Sequence, residues 1–143
     1  MALPESLIER LETSFALFEG KEQQLIDTFY GTLFETAPEV RSLFPDEMSA
    51  QKQKLLASLA LVVKHLRNLE AITPTLKQMG ARHIDYGAED AHYPVVRDAM
   101  VTAMSRTAGR DWTDQFTRDW NAALDLVSSV MIEGAQEVRK QAA

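Results

Sequence analysis

The 143-residue chain contains no cysteine. That absence removes disulfide scaffolds, Cys-based zinc sites, iron–sulfur clusters and thiol nucleophiles together, and leaves the redox compartment open. Positive charge is short as well: 15 Lys+Arg against 21 Asp+Glu give a net charge of −6. With no basic run to clamp phosphates, a nucleic-acid partner is not expected. No apolar run reaches 18 residues, so no membrane span is expected. The opening MALPESLIERLE lacks a basic n-region and a long apolar stretch. A signal peptide is therefore not expected, and a cytoplasmic location is the default. Neither a GxxxxGK phosphate loop nor a GxSxG elbow occurs. His65, His83 and His92 offer no i, i+4 pair for zinc, and the carboxylates fall on what look like solvated helix faces. Ordinary side-chain catalysis has little support.

What is present points to helices. Apolar residues make up 45% and charged residues 25%, as in a globular domain, and the length is that of one domain. A reductase or ATPase module is not expected within it. Ala (18) and Leu (16) far outnumber Val (9) and Ile (5), glycine is scarce at 6, and no segment alternates apolar with polar residues. The fold class is all-α, with about seven or eight helices. Pro4, Pro38, Pro45, Pro74 and Pro94 mark starts and breaks. Helices are expected over about 4–18, 21–37, 49–68, 73 to just before Gly87, 89–108, and from Thr113 to the C-terminus. Leu55, Leu59, Val62 and Leu66, spaced 4, 3 and 4, form the stripe of the third. Thr73 is expected to cap the fourth, with Pro74 in its first turn. Phe116, Trp120, Leu124, Val127, Met131 and Val138 are expected along the inner face of the last.

A few polar groups fall on inward faces. His83 shares a face with Leu76 and Met79, Tyr30 lies between Ile26 and Leu33, and Gln51 stands one turn before Leu55. Each has an ordinary explanation. A lone inward histidine is usually a satisfied core residue, and an inward tyrosine usually bonds a carbonyl. Gln51 reads equally well as an exposed first-turn residue with Gln53 as its rival, and Phe44 before Pro45 as a corner plug. Yet a bare buried polar group costs about 1–3 kcal/mol, and several without evident mates imply that something else occupies the space between them.

The order and spacing of these residues resemble the globin family, most closely bacterial single-domain globins and the haem domain of flavohaemoglobins. The resemblance runs from about Phe15 to Val138. Its carriers are FYGTLFETAPEVRSLF, QKQKLLASLALVV, NLEAITPTLKQMGARHIDYG, AHYPVVRDAM and WTDQFTRDWNAAL. Tyr30 and Phe44, 14 residues apart, match the distal tyrosine and the haem-stacking phenylalanine. Gln51 and Leu55 match the distal glutamine and leucine. His83 matches the proximal histidine, and Tyr93, ten residues later, a proximal-side tyrosine.

The resemblance implies a single globin domain over 1–143 holding haem b (iron protoporphyrin IX). It assigns His83 to the iron, its other ring N–H oriented by the Met79 carbonyl one turn earlier. Phe44 stacks on the porphyrin, Leu55, Met79 and Val96 line the walls, Tyr93 stands on the proximal side, and Lys54 or Arg82 pairs with the propionates. Gly80 permits close approach on that side. Tyr30 and Gln51 form the reactive distal pair, donating to a partly negative diatomic ligand: dioxygen, nitric oxide or carbon monoxide. Either residue is also open to approaching ferric iron directly at rest.

One departure stands out. Flavohaemoglobins pair the proximal histidine and tyrosine with a last-helix glutamate. Alignment on Trp120 puts Ala135 there, with Glu133 and Glu137 each about 200° round the helix. A proximal push is accordingly not expected, and turnover needs a separate reductase. The function implied is reversible dioxygen binding with nitric oxide dioxygenase-type reactivity. The alternatives are an oxygen carrier, store or gas sensor without turnover, and a haem-free interaction module. Monomer and homodimer both remain open.

Overall fold

The computed structural model describes residues 3–142. They form six α-helices: α1 (Glu5–Phe15), α2 (Glu22–Thr36), α3 (Ser49–Lys64), α4 (Thr73–Asp85), α5 (His92–Ala108) and α6 (Asp114–Ala142). Short 3₁₀ segments cover Ala16–Phe18, Pro38–Leu43, Leu69–Ile72 and Gly109–Asp111. Counted with the six-residue corner at Pro38–Leu43, the helices number seven. No strand occurs among the described residues. No helix among them is long and apolar enough to cross a membrane.

The punctuation behaves as elementary sterics require. Gly20 (φ 79°) and Gly109 (φ 62°) take the left-handed backbone that reverses the chain after the Ala16–Phe18 segment and after α5. Pro38 opens the corner segment once α2 has ended. The Thr113 hydroxyl accepts the Phe116 N–H at 3.1 Å and so caps α6. Thr73 departs from expectation: it is the first residue of α4, and its hydroxyl donates to the Leu69 carbonyl at 3.0 Å instead of capping. α3 also stops at Lys64, four residues short. There the His65 N–H is shared between the Leu61 and Val62 carbonyls, at 3.2 and 3.1 Å, and the chain tightens into turns. α5 begins at His92, three residues late, after a turn in which the Glu89 N–H donates to His92 Nδ1 at 2.9 Å.

The core lies where α2 packs on α5 and where α4, α5 and α1 pack on α6. Leu25, Ile26, Phe29 and Leu33 of α2 are buried, as are Met100, Ala103 and Met104 of α5. α1 is pinned to α6 by a polar set inside this apolar frame. The buried Trp120 Nε1–H donates to Ser14 Oγ at 2.8 Å, and Arg10 forks onto the buried Asp119 at 2.8 and 3.0 Å. Val138, expected inward, is 41% exposed; α6 outruns the helices it packs on, so its last turns have nothing to cover them.

Candidate functional site

Two clusters of named residues emerge, one built on α2 and the corner, the other on α4 and α5. On α2, Tyr30 is 4% exposed and its ring meets Phe29, Phe34 and Phe44 at centroid distances of 4.8, 5.8 and 5.7 Å. Phe34 and Phe44 are themselves 5.4 Å apart. Arg41 fastens this corner. Its guanidinium lies 5.0 Å over the Phe34 ring and donates to the carbonyls of Phe44, Pro45 and Asp46 at 3.3, 2.9 and 3.3 Å. Phe44 therefore reaches its place through the backbone that carries it.

Gln51, in the first turn of α3, is half-buried, and its side chain acts on the Tyr30 hydroxyl. Burial pushes the Tyr30 phenol up, and the nearby Gln51 side chain only partly opposes it. The pair stops short of full hydrogen-bond geometry. The phenol keeps its proton at neutral pH and can donate. Gln53 is exposed and lies between Gln23, Asp27 and Lys52, so of the two glutamines Gln51 is the one at Tyr30. Leu55 is half-buried; Lys54 is exposed and makes no ion pair among the described residues.

On α4, Leu76 is buried while Met79 and His83 are half-buried. His83 Nδ1–H donates to the Met79 carbonyl at 2.5 Å. A carbonyl only accepts, so Nδ1 carries a proton, and Nε2 makes no hydrogen bond among the described residues. The rings of Tyr86 and Tyr93 stand 5.6 and 6.2 Å away. Tyr93 is half-buried; burial and then Asp90 push its phenol up, with Arg139 opposing. Val96 is 37% exposed, and Arg82 is exposed without an ion pair among the described residues.

α4 owes its position to two glycines. A Cβ on Gly80 would collide with the Met131 carbonyl of α6, and a Cβ on Gly134 would collide with the backbone of Lys77. The two helices meet backbone to backbone at these points. Ala135 on α6 is buried, and Glu133 and Glu137 both turn to Lys77, at 3.4 and 2.9 Å. Neither glutamate supplies a carboxylate to His83.

The sequence left four contributors unassigned. Phe34, four residues after Tyr30, had the right helical phase for the aromatic cluster. Gly134 was visible as a glycine inside a helical run. Arg41 and Tyr86 gave no signal, because what they touch depends on how the corner and the end of α4 fold.

These residues can be tested against the haem that the resemblance implies. The donor set is one imidazole whose Nε2 has no hydrogen-bond partner among the described residues. Phe44, Leu55, Met79, Tyr93 and Val95 pack on the core yet stay half-buried, whereas Val96, expected on the wall, is 37% exposed. An apolar band with a single nitrogen ligand fits a flat iron porphyrin. It does not fit a bare metal ion, and no group of three or more His, Asp or Glu side chains able to hold one occurs among the described residues.

The globin family model matches residues 27–131, most of the chain. The chain belongs to the globin family. This globin is 28% identical over 144 residues to the flavohemoprotein of Bacillus anthracis, covering 99% of this chain and 35% of that one. It spans about a third of the length of such curated relatives. Leghemoglobin-1 of Lupinus luteus is 25% identical over 135 residues, covering 85% of this globin and 88% of the plant protein. Among solved structures, an engineered carbene transferase from Rhodothermus marinus superposes with a TM-score of 0.87 at 24% identity, covering 97% of each chain. That likeness shows the expected globin fold.

Proposed function

We propose that this globin binds haem b through His83 and holds dioxygen reversibly against Tyr30 and Gln51, with nitric oxide dioxygenase-type reactivity that draws electrons from a separate reductase. The observation that carries the reading is His83: its Nδ1–H is committed to the Met79 carbonyl, which leaves Nε2 without a hydrogen-bond partner among the described residues, with the half-buried Tyr93 ring 6.2 Å away. The haem supplies an iron centre for diatomic ligands, and its chemistry is the cofactor's own. The protein's part is orientation and electrostatics. The Met79 carbonyl holds one imidazole tautomer and raises its basicity. Phe44, fastened by the Arg41 corner, offers a ring to the porphyrin face; Leu55 and Met79 exclude water; exposed Arg82 and Lys54 are free for the propionates. Tyr30 keeps its proton and donates to partial negative charge on the ligand, with Gln51 as second donor. In the turnover reading, nitric oxide, dioxygen and one electron combine to nitrate.

Ala135 favours a second reading. With no carboxylate reaching the proximal histidine, an oxygen carrier or store without turnover needs nothing more than the site already has. Nitrate production sustained by a reductase separates the two.

The first experiment is the visible spectrum of the purified protein: ferric, reduced, and reduced with carbon monoxide. A haem band that shifts with carbon monoxide and collapses in His83→Ala is expected. A protein that stays colourless with added haemin overturns the reading and leaves a haem-free helical bundle.

A further inference from the structure

α3 is thinly packed where it matters most. Its first fully buried side chain is Leu59, ten residues into the helix, and the only other is Val62. Ahead of it, Ser49, Ala50, Gln53 and Lys54 are exposed, and Gln51, Lys52, Leu55 and Leu56 are half-buried. Between this stretch and α2 lies a depression of about 320 Å³, lined by Gln23, Ile26 and Asp27 from α2 and Ser49, Lys52, Gln53 and Leu56 from α3. Apolar packing of the first turns of α3 is confined to half-buried side chains such as Leu55 and Leu56, so polar contacts share in setting how far they stand from α2. The Glu47 carboxylate accepts the Ser49 N–H at 2.9 Å and its hydroxyl at 2.5 Å, which secures the helix start. Across the gap, Lys52 Nζ meets Asp27 Oδ1 at 2.9 Å, and the Gln23 amide donates to the same oxygen at 2.9 Å.

Sequence position gives this ion pair its meaning. Lys52 directly follows Gln51, and Asp27 precedes Tyr30 by three residues, on a neighbouring stripe of α2. The bridge thus joins the same two helices at the level of the Tyr30–Gln51 pair. We infer that Asp27 and Lys52 are positioning residues, a latch that keeps Gln51 at the Tyr30 hydroxyl and so sets how firmly the pocket holds a diatomic ligand. The inference rests on the haem reading above. Lys52 holds the Asp27 carboxyl below its usual range, so the bridge is charged at neutral pH. Both side chains are partly exposed, 31% and 50%. The latch is weak, and salt screens it.

The test uses the haem-loaded full chain with two probes, the dioxygen dissociation rate and the infrared C–O stretch of the carbon monoxide complex. Asp27→Asn and Lys52→Met should each speed dioxygen release about two- to fivefold and move the C–O stretch in the direction that Gln51→Ala moves it. The double variant should do no more than either single one. In a Gln51→Ala background, Asp27→Asn should change nothing further. If Tyr30→Phe alters both probes while Asp27→Asn alters neither, the latch is overturned and the haem reading stands. Additive effects of Asp27→Asn and Lys52→Met overturn it as well. If Tyr30→Phe itself is silent, the distal reading fails and the latch falls with it.

Discussion

On the α4 side of the candidate site, Gly80 and Gly134 let the backbone of the helix that carries His83 touch that of α6. On the α2–α3 side, the first turns of α3 carry no buried side chain, and an ion pair spans a depression beside Gln51. The contrast is one of materials. Backbone contact is stiff and fails abruptly when a methyl group is inserted, because a close-packed interior cannot absorb the volume. A half-solvated ion pair is soft and contributes little, but it responds to salt and to single charges. On the haem reading proposed above, a ligand to iron would benefit from the first construction. A donor that must admit, hold and release a small ligand benefits from the second.

The stiff side predicts the largest effect. Gly80→Ala should cost about 3 kcal/mol or more in denaturant unfolding and weaken haem retention, since the Met131 carbonyl cannot move without its helix. Gly31→Ala is the control: a Cβ there meets nothing within 4 Å, so the same change should stabilise the protein by about 0.5–1 kcal/mol. Equal costs at both positions would erase the comparison. The soft side predicts a large functional effect with little change in stability. Tyr30→Phe should speed dioxygen release about tenfold, near 1.4 kcal/mol of lost hydrogen bonding, as read by stopped-flow displacement. An unchanged rate removes Tyr30 as the main donor.

The smallest effect lies away from the pocket, at the α1–α6 pin. Burial pushes the Asp119 carboxyl up, but hydrogen bonds from Arg10 and Gln115, with the nearby charges of Arg10 and Arg118, outweigh it and leave it below its usual value. A carboxyl lowered in the folded state contributes stability above the ordinary range near pH 4 and loses it as pH falls through the folded value. Asp119→Asn should therefore lower Tm by about 3 °C at neutral pH. The difference from the parent protein should shrink on acidification below about pH 4. A difference that stays constant with pH would show that the carboxylate charge has no part in the pin.

Most of the fold, and the helical phase of the candidate site residues, was legible in the sequence for identifiable reasons. The stripes of α2 and α6 were readable because a 3.6-residue period repeats over several turns and marks one face. The turns at Gly20 and Gly109 were readable because so few residues accept their backbone angles. His83 was readable beside Leu76 and Met79 for the same periodic reason. Its tie to Met79 followed because a carbonyl four residues back is the nearest acceptor on a helix. The end of α3 was misplaced, since its stripe continues through Leu66 while its hydrogen bonds tighten at His65. Thr73 was misread as a cap because a threonine hydroxyl reaches a carbonyl one turn back just as well.

The sequence alone determined the helical class, the phase of each helix, the order of the site residues and the globin resemblance. All of these are local or periodic properties, written in spacings along one chain. Only the tertiary structure decided that Gln51 is half-buried near Tyr30 while Gln53 is exposed, that Arg41 gathers the corner carrying Phe44, and that Gly80 and Gly134 answer each other across α4 and α6. Those facts join residues far apart in the chain. They depend on the distance and rotation between helices, which the summed packing of the core sets and no short stretch of sequence contains.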